Sequence, residues 1–199
     1  MTTYAEIRPL LRTGDNVFFR GKGFISNLIA FFCKSKWSHI GKIIVKKDRV
    51  LLLESTTLAL DDETFKGVRL IPFSKALDFY NGRIGIKRLI MVRTPFFYER
   101  AEAFMQREIG KPYEKDAIEI INCQVDEVDW YKGKNNNNAD RFCLELNAAF
   151  DIDKGILPCR GVKPANEYSF ADYDDGGSVE EYHKEVFGTI RYLPMEIIK

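Results

Sequence analysis

Ser38-His39-Ile40-Gly41-Lys42-Ile43-Ile44-Val45, then Lys46-Lys47-Asp48-Arg49, then Val50-Leu51-Leu52-Leu53-Glu54, is the stretch from which the rest of the chain is best read. Two aliphatic runs separated by four polar residues predict an antiparallel hairpin. If Val45 pairs with Val50, Gly41 stands opposite Glu54, and side-chain alternation puts His39 on the same face as Gly41. His39 and Glu54 are then diagonal neighbours at roughly 7 to 8 Å, within reach of a long carboxylate. A three-residue loop would instead send them to opposite faces. Histidine occurs twice in the chain, and its unperturbed pKa near neutrality makes His39 the candidate proton carrier. Glu54 then fixes the ring tautomer, as the third member of a triad does. Gly41 in the strand suggests the close approach of another segment. His183, among Glu180, Glu181, Lys184 and Glu185, reads as a surface residue.

Outward from the hairpin, residues 4–11 read as a short helix, Gly14-Asp15 as a turn, and Val17-Phe18-Phe19 as a strand. Phe24, Ile25, Leu28, Ile29 and Phe32 recur at helical spacing. Strands are expected at residues 67–70 and, after the Asn81-Gly82 turn, at 83–91. Thr94-Pro95 opens the clearest helix, with Thr94 as cap and Gly110 as stop. A helix is also open to Tyr113 and the residues up to 121. The run Asn135 to Asn138 reads as a solvated loop. Asp140 is placed to cap a helix from Arg141 to about Phe150, which carries Cys143 in its first turn. Asp172 to Gly177 reads as a hinge before a last helix and strand.

The chain has 199 residues, 45% of them apolar and 13% aromatic, enough for one full core. One domain, residues 1–199, is expected, with its core at about 13–170 and a C-terminal extension at about 172–199. Thirty basic residues against 29 acidic ones leave no net field that favours nucleic acid. Cys33, Cys123, Cys143 and Cys159 form no close pair, and the N-terminus carries no leader pattern, which fits reduced thiols in a cytoplasmic setting. The longest uncharged stretch, residues 23–33, is shorter than the ~18 residues a membrane span requires. That leaves only peripheral membrane contact open.

There is no G-x-S-x-G, no phosphate-binding P-loop signature, no H-E-x-x-H, and no cysteine or histidine pair at zinc-like spacing. No metal and no cofactor are expected. A thiol at the start of a helix, by contrast, sits where the helix dipole and unpaired N–H groups favour a thiolate nucleophile. Cys143 therefore pairs naturally with His39.

Four ordered motifs resemble the circularly permuted branch of the papain-like NlpC superfamily of cysteine hydrolases. Gly14-Asp15-Asn16-Val17-Phe18-Phe19 is similar to the family's glycine–aspartate strand opening, and Ser38-His39-Ile40-Gly41 to its histidine strand. Gly110-Lys111-Pro112-Tyr113 resembles the segment with a site tyrosine, and Arg141-Phe142-Cys143-Leu144-Glu145-Leu146 the nucleophile helix. The histidine motif precedes the cysteine motif, as in permuted amidases, poxvirus homologues and lecithin-retinol acyltransferase-like enzymes. The resemblance spans about residues 13–170, with Ile71-Pro72-Phe73 and Lys163-Pro164-Ala165-Asn166 as further punctuation.

It implies an α+β fold, with a central antiparallel sheet or partial barrel and helices packed on it. It also implies a thiol hydrolase or acyltransferase cleaving an amide or ester bond through a cysteine acyl-enzyme. The implied catalytic residues are Cys143, His39 and Glu54, with Tyr113, Ser38 and Asp15 toward the substrate, which would be a small acylated amine, a lipid-linked molecule or a peptide. Leu144 stands where the family usually has a small residue. That departure motivates an alternative expectation, a catalytically inactive lipid- or peptide-binding module on the same fold.

Overall fold

A computed structural model describes residues 2–22, 35–57, 66–113, 142–158 and 164–198. The expected helix at 24–32, the asparagine run, Asp140 and three cysteines, Cys33, Cys123 and Cys159, lie outside the described residues.

The architecture is α+β. Strands β1 (Asn16–Gly21), β2 (His39–Lys46), β3 (Arg49–Thr56), β4 (Gly67–Pro72), β5 (Gly82–Lys87) and β8 (Glu196–Ile197) form one sheet in the order β4-β3-β2-β1-β5-β8. Every neighbouring pair is antiparallel. A separate two-stranded ribbon joins β6 (Leu89–Ile90) to β7 (Arg191–Tyr192). The strand expected across 83–91 is thus two strands in two sheets. Its break at Arg88 coincides with a carbonyl that accepts from Leu193 N–H (2.8 Å), while the next amide, Leu89 N–H, donates to Asp15 (2.8 Å).

The β2–β3 hairpin has the register read from the sequence, with Val45 opposite Val50 and Lys42 opposite Leu53. Its two-residue turn, Lys47-Asp48, places Lys47 at φ 53°, the positive φ that tight hairpins favour. The segment that closes on Gly41 is β3. A β-carbon there would stand 2.8 Å from Leu52 and 2.9 Å from the Leu53 carbonyl, so a larger residue would push the two strands apart.

Both faces of the sheet are covered, which explains why β2 and β3 read as continuous apolar runs rather than alternating ones. On one face Phe18, Ile40, Ile44 and Leu53 pack with Phe97, Phe104 and Met105 of α3 (Pro95–Glu108) and with Leu146 and Phe150 of α4 (Cys143–Asp153). On the other, Val17, Phe19, Ile43 and Leu52 pack with Ile7 of α1 (Tyr4–Ile7) and with Phe73 and Ala76 of α2 (Phe73–Phe79). Helix α2 lies where the sequence reading placed only punctuation. Pro72 ends β4 and occupies the helix's N-cap position.

Helix α3 matches expectation. The Thr94 side chain accepts from Phe97 N–H (3.3 Å), and Gly110 follows the helix at φ 93°. The C-terminal segment is woven into the fold, since β8 is a strand of the main sheet and Ile198 belongs to its second core. His183 is the clearest departure. Instead of facing solvent it is 1% exposed, and its Nε2 lies 2.8 Å from the Ile156 carbonyl. It follows α5 (Ser178–Tyr182) in a π-helical turn whose polar neighbours hid its inward direction. No helix among the described residues is long and apolar enough to cross a membrane.

Candidate active site

Because β2 and β3 pair in the register above, His39 and Glu54 are diagonal neighbours, and the His39 Nε2 lies 2.8 Å from Glu54 Oε2. Glu54 is anchored in turn by its direct cross-strand partner, Arg69 of β4. The Arg69 Nε donates to Glu54 Oε1 at 3.0 Å and its Nη2 to the same oxygen at 2.9 Å. One carboxylate oxygen serves arginine and the other serves histidine.

Cys143 is the other group that acts on the His39 ring, raising its pKa together with Glu54. Cys143 is the first residue of α4, two positions later than the expected start at Arg141. Phe142 holds the N-cap position in extended conformation and supplies no side-chain cap. The first helical hydrogen bond runs from Leu146 N–H to the Phe142 carbonyl (3.0 Å), so the amides of Cys143, Leu144 and Glu145 precede the helical ladder. These amides and the positive end of the helix dipole belong to the same first turn as Cys143.

Burial is the largest single influence on His39 and pulls its pKa down. Hydrogen bonds to Cys143 and Glu54, with the charges of both, outweigh it and raise the pKa to about 10. Burial likewise pushes Glu54 up, but the bond and charge of His39 and the charge of Arg69 hold it below the usual carboxylate range. The partners of His39 thus favour the protonated ring, whose side chain is 14% exposed. In an unfolded chain it would titrate near the reference 6.5. The stabilisation from its partners is complete below about pH 6.5 and drains away as pH rises through about 10. The stability gap between wild type and His39→Gln, measured by urea unfolding, is expected to shrink across that window. A gap constant with pH would mean that the ring is neutral throughout.

The remaining residues of the sequence reading fall in different places. Tyr113 lies beside the start of β4, where its N–H donates to the Lys66 carbonyl (3.1 Å) and Pro112 bridges Gly67. Its side chain packs on the core that includes Cys143. Ser38 precedes His39, and its hydroxyl donates to the Phe19 carbonyl and accepts from Gly21 N–H, both at 3.3 Å. Asp15 is not brought to this cluster. In the β1–β2 register Phe19 pairs with His39 while Asn16 pairs with Lys42, which sets Asp15 at the opposite end of the strand. Its carboxylate accepts from the Arg12 and Leu89 amides (both 2.8 Å) and from Arg93 (3.3 Å). Burial lifts its pKa to about 6. It ties the turn before β1 to β6, and at 1% exposure it has no open side for a substrate.

Two neighbours were missed in the sequence. Arg69 is one. Tyr80 is the other, its ring 4.7 Å from that of Phe19, which lies 5.3 Å from the His39 ring. Burial chiefly raises the Tyr80 pKa to about 12, against a lowering hydrogen bond with Ser38, and its phenol also feels the charges of Glu54 and Cys143.

No family model matches the chain, and no curated protein does. Among solved structures, the chain is similar to the crystal structure of metalloprotein yiiX from Escherichia coli O157:H7, DUF1105, at 13% identity and a TM-score of 0.54, covering 94% of this chain and 96% of that one. At that identity the likeness speaks to the arrangement of the chain alone.

Proposed function

We propose that the protein is a thiol hydrolase or acyltransferase with a permuted papain-like fold, in which Cys143, His39 and Glu54 are the catalytic residues. The observation that carries this reading is the line of hydrogen bonds from Arg69 through Glu54 to His39, a ring whose pKa is also raised by Cys143 at the first position of α4. In the reaction the Cys143 Sγ, as thiolate, attacks the carbonyl carbon of an ester or amide. The tetrahedral oxyanion takes hydrogen bonds from amides at the start of α4, with Tyr113 beside them. As the carbon–oxygen or carbon–nitrogen bond breaks, the imidazolium of His39 gives its proton to the departing alcohol or amine, leaving a thioester on Cys143. Water, or an acceptor alcohol or amine, then loses a proton to His39 as it attacks the thioester, and the thiolate is released. Glu54 keeps the ring oriented throughout.

The substrates that fit this chemistry are small acylated amines, lipid-linked acyl groups and peptide amides. The structural neighbour is described as a metalloprotein. Among the described residues of this chain, no group of three or more histidine, cysteine or acidic side chains is arranged to hold a metal ion.

Incubation with a p-nitrophenyl acyl ester tests the reading. One equivalent of acyl group is expected on Cys143 by mass spectrometry, formed in a burst of nitrophenolate and lost on addition of hydroxylamine. Cys143→Ala is expected to abolish both. An acyl-free Cys143 in a folded protein that still binds an acylated peptide or lipid would instead favour a binding module.

A further inference from the structure

We infer that Arg69 is the charge-balancing residue of this site, the second cation on Glu54 that lets carboxylate, imidazolium and thiolate coexist out of water. The inference rests on the proposed reading of Cys143 as a thiolate. Glu54 and Arg69 are direct cross-strand partners, 5% and 8% exposed, and both arginine contacts fall on Oε1. Oε2 is thereby left to His39. Arginine and imidazolium contribute two positive charges, and carboxylate and thiolate contribute two negative ones, so the four groups are electroneutral. Without Arg69 the same groups would carry one uncompensated negative charge in a poorly hydrated place, where such a charge is most costly.

An orienting hydrogen bond alone would not require a guanidinium here, because a serine or amide could hold Glu54 equally well. A forked cation, permanently charged and weakly hydrated, is suited to neutralising a buried carboxylate. The ionisable groups that bear on the cluster from the surrounding elements are Arg69 of β4, Glu54 of β3, Cys143 of α4, Tyr80 after α2, and Arg20 of β1, which acts on Tyr80. Tyr80, raised to about 12, keeps its proton over the range that matters. Among the described residues, the four groups counted above are the charges that act directly on one another.

The test is the pH profile of iodoacetamide labelling at Cys143, followed by peptide mass spectrometry in wild type, Arg69→Met, Arg69→Lys and the double variant Glu54→Gln/Arg69→Met. Removing the arginine charge is expected to move the midpoint of the profile up by about one pH unit, the size of effect a nearby charge exerts. Arg69→Lys, which keeps the charge and loses the fork, is expected to stay with wild type. The double variant removes one charge of each sign and is expected to return toward wild type. An Arg69→Met profile that superimposes on wild type overturns the inference, as does an Arg69→Lys profile displaced as far as Arg69→Met. If Arg69→Met does not fold, the double variant decides: a profile displaced upward there overturns the inference, and one like wild type supports it.

The His39 ring titration, followed by NMR in the same variants, separates this inference from the reading it rests on. Loss of the arginine charge is expected to make His39 hold its proton to higher pH. A wild-type labelling profile that rises only near pH 8.5, as for an unassisted thiol, would defeat the thiolate nucleophile, whereas an unmoved His39 titration in Arg69→Met would defeat the role given to Arg69.

Discussion

The Asp151→Asn variant is expected to be about 3 to 5 kcal/mol less stable than wild type. Asp151 lies in α4, and its Oδ1 stands 2.6 Å from Lys42 Nζ of β2, with side-chain exposures of 0% and 1%. Lys42 also donates to the Tyr192 hydroxyl (3.0 Å) and to the Asn16 side chain, while Tyr173 donates to Asp151 Oδ2 (3.0 Å). Burial pushes both members toward neutrality, Lys42 down and Asp151 up, against their mutual attraction. A pair of this kind contributes little net stability while whole, because attraction and desolvation nearly cancel. Removing one partner is different. Asparagine would leave an ammonium without the carboxylate that touches it and with only the weaker attraction of Asp15, and shedding its proton at pH 7 costs about 4.6 kcal/mol from a reference near 10.4. That figure sets the scale of the loss and explains why it should shrink as pH rises. Urea unfolding at pH 7 and pH 9.5 is expected to show the larger gap at pH 7. A gap below about 1 kcal/mol at pH 7 would mean that Lys42 is already neutral in wild type.

This network bears on the site because it fixes α4 against the sheet. Cys143 and Asp151 stand on one helix, and His39 and Lys42 on one strand. The second pair holds the two elements in the relation that brings the first pair together. Lys87 of β5 does similar work nearby, donating to the Tyr173 carbonyl (3.1 Å) and pairing with Glu180 and Asp175. It thereby ties the C-terminal segment to the sheet.

What could be read in the sequence followed from distance along the chain. The hairpin register depends on four polar residues between two apolar runs, so the diagonal relation of His39 and Glu54 is legible in the sequence once Val45 pairs with Val50. The cap of α3 was legible for the same reason, since Thr94 and Pro95 act on amides within one turn. Arg69 was not. It stands opposite Glu54 only because β4 pairs with β3 at a register that no short turn dictates. Lys42 reads as an interruption of an apolar strand, and its compensation comes from Asp151 and Tyr192, far down the chain. His183 has charged neighbours that suggest solvent, yet its ring turns inward to the Ile156 carbonyl. Asp15 shows the converse, a motif residue found in its expected turn but engaged with backbone amides rather than exposed to a ligand.

The central claim is that His39 and Cys143 act as a charged pair, and the alkylation rate of Cys143 in wild type and in His39→Gln tests it most directly. An unassisted thiol with a pKa near 8.5 is only a few per cent ionised at pH 7, whereas a thiolate paired with imidazolium is almost wholly so. Substitution of the histidine is therefore expected to slow iodoacetamide labelling of Cys143 by about 30-fold at pH 7, with the two rates converging above about pH 9. In wild type, Cys143 is also expected to label ahead of Cys33, Cys123 and Cys159. Equal rates in the two proteins at pH 7, with Cys143 no faster than the other three cysteines, would contradict the account.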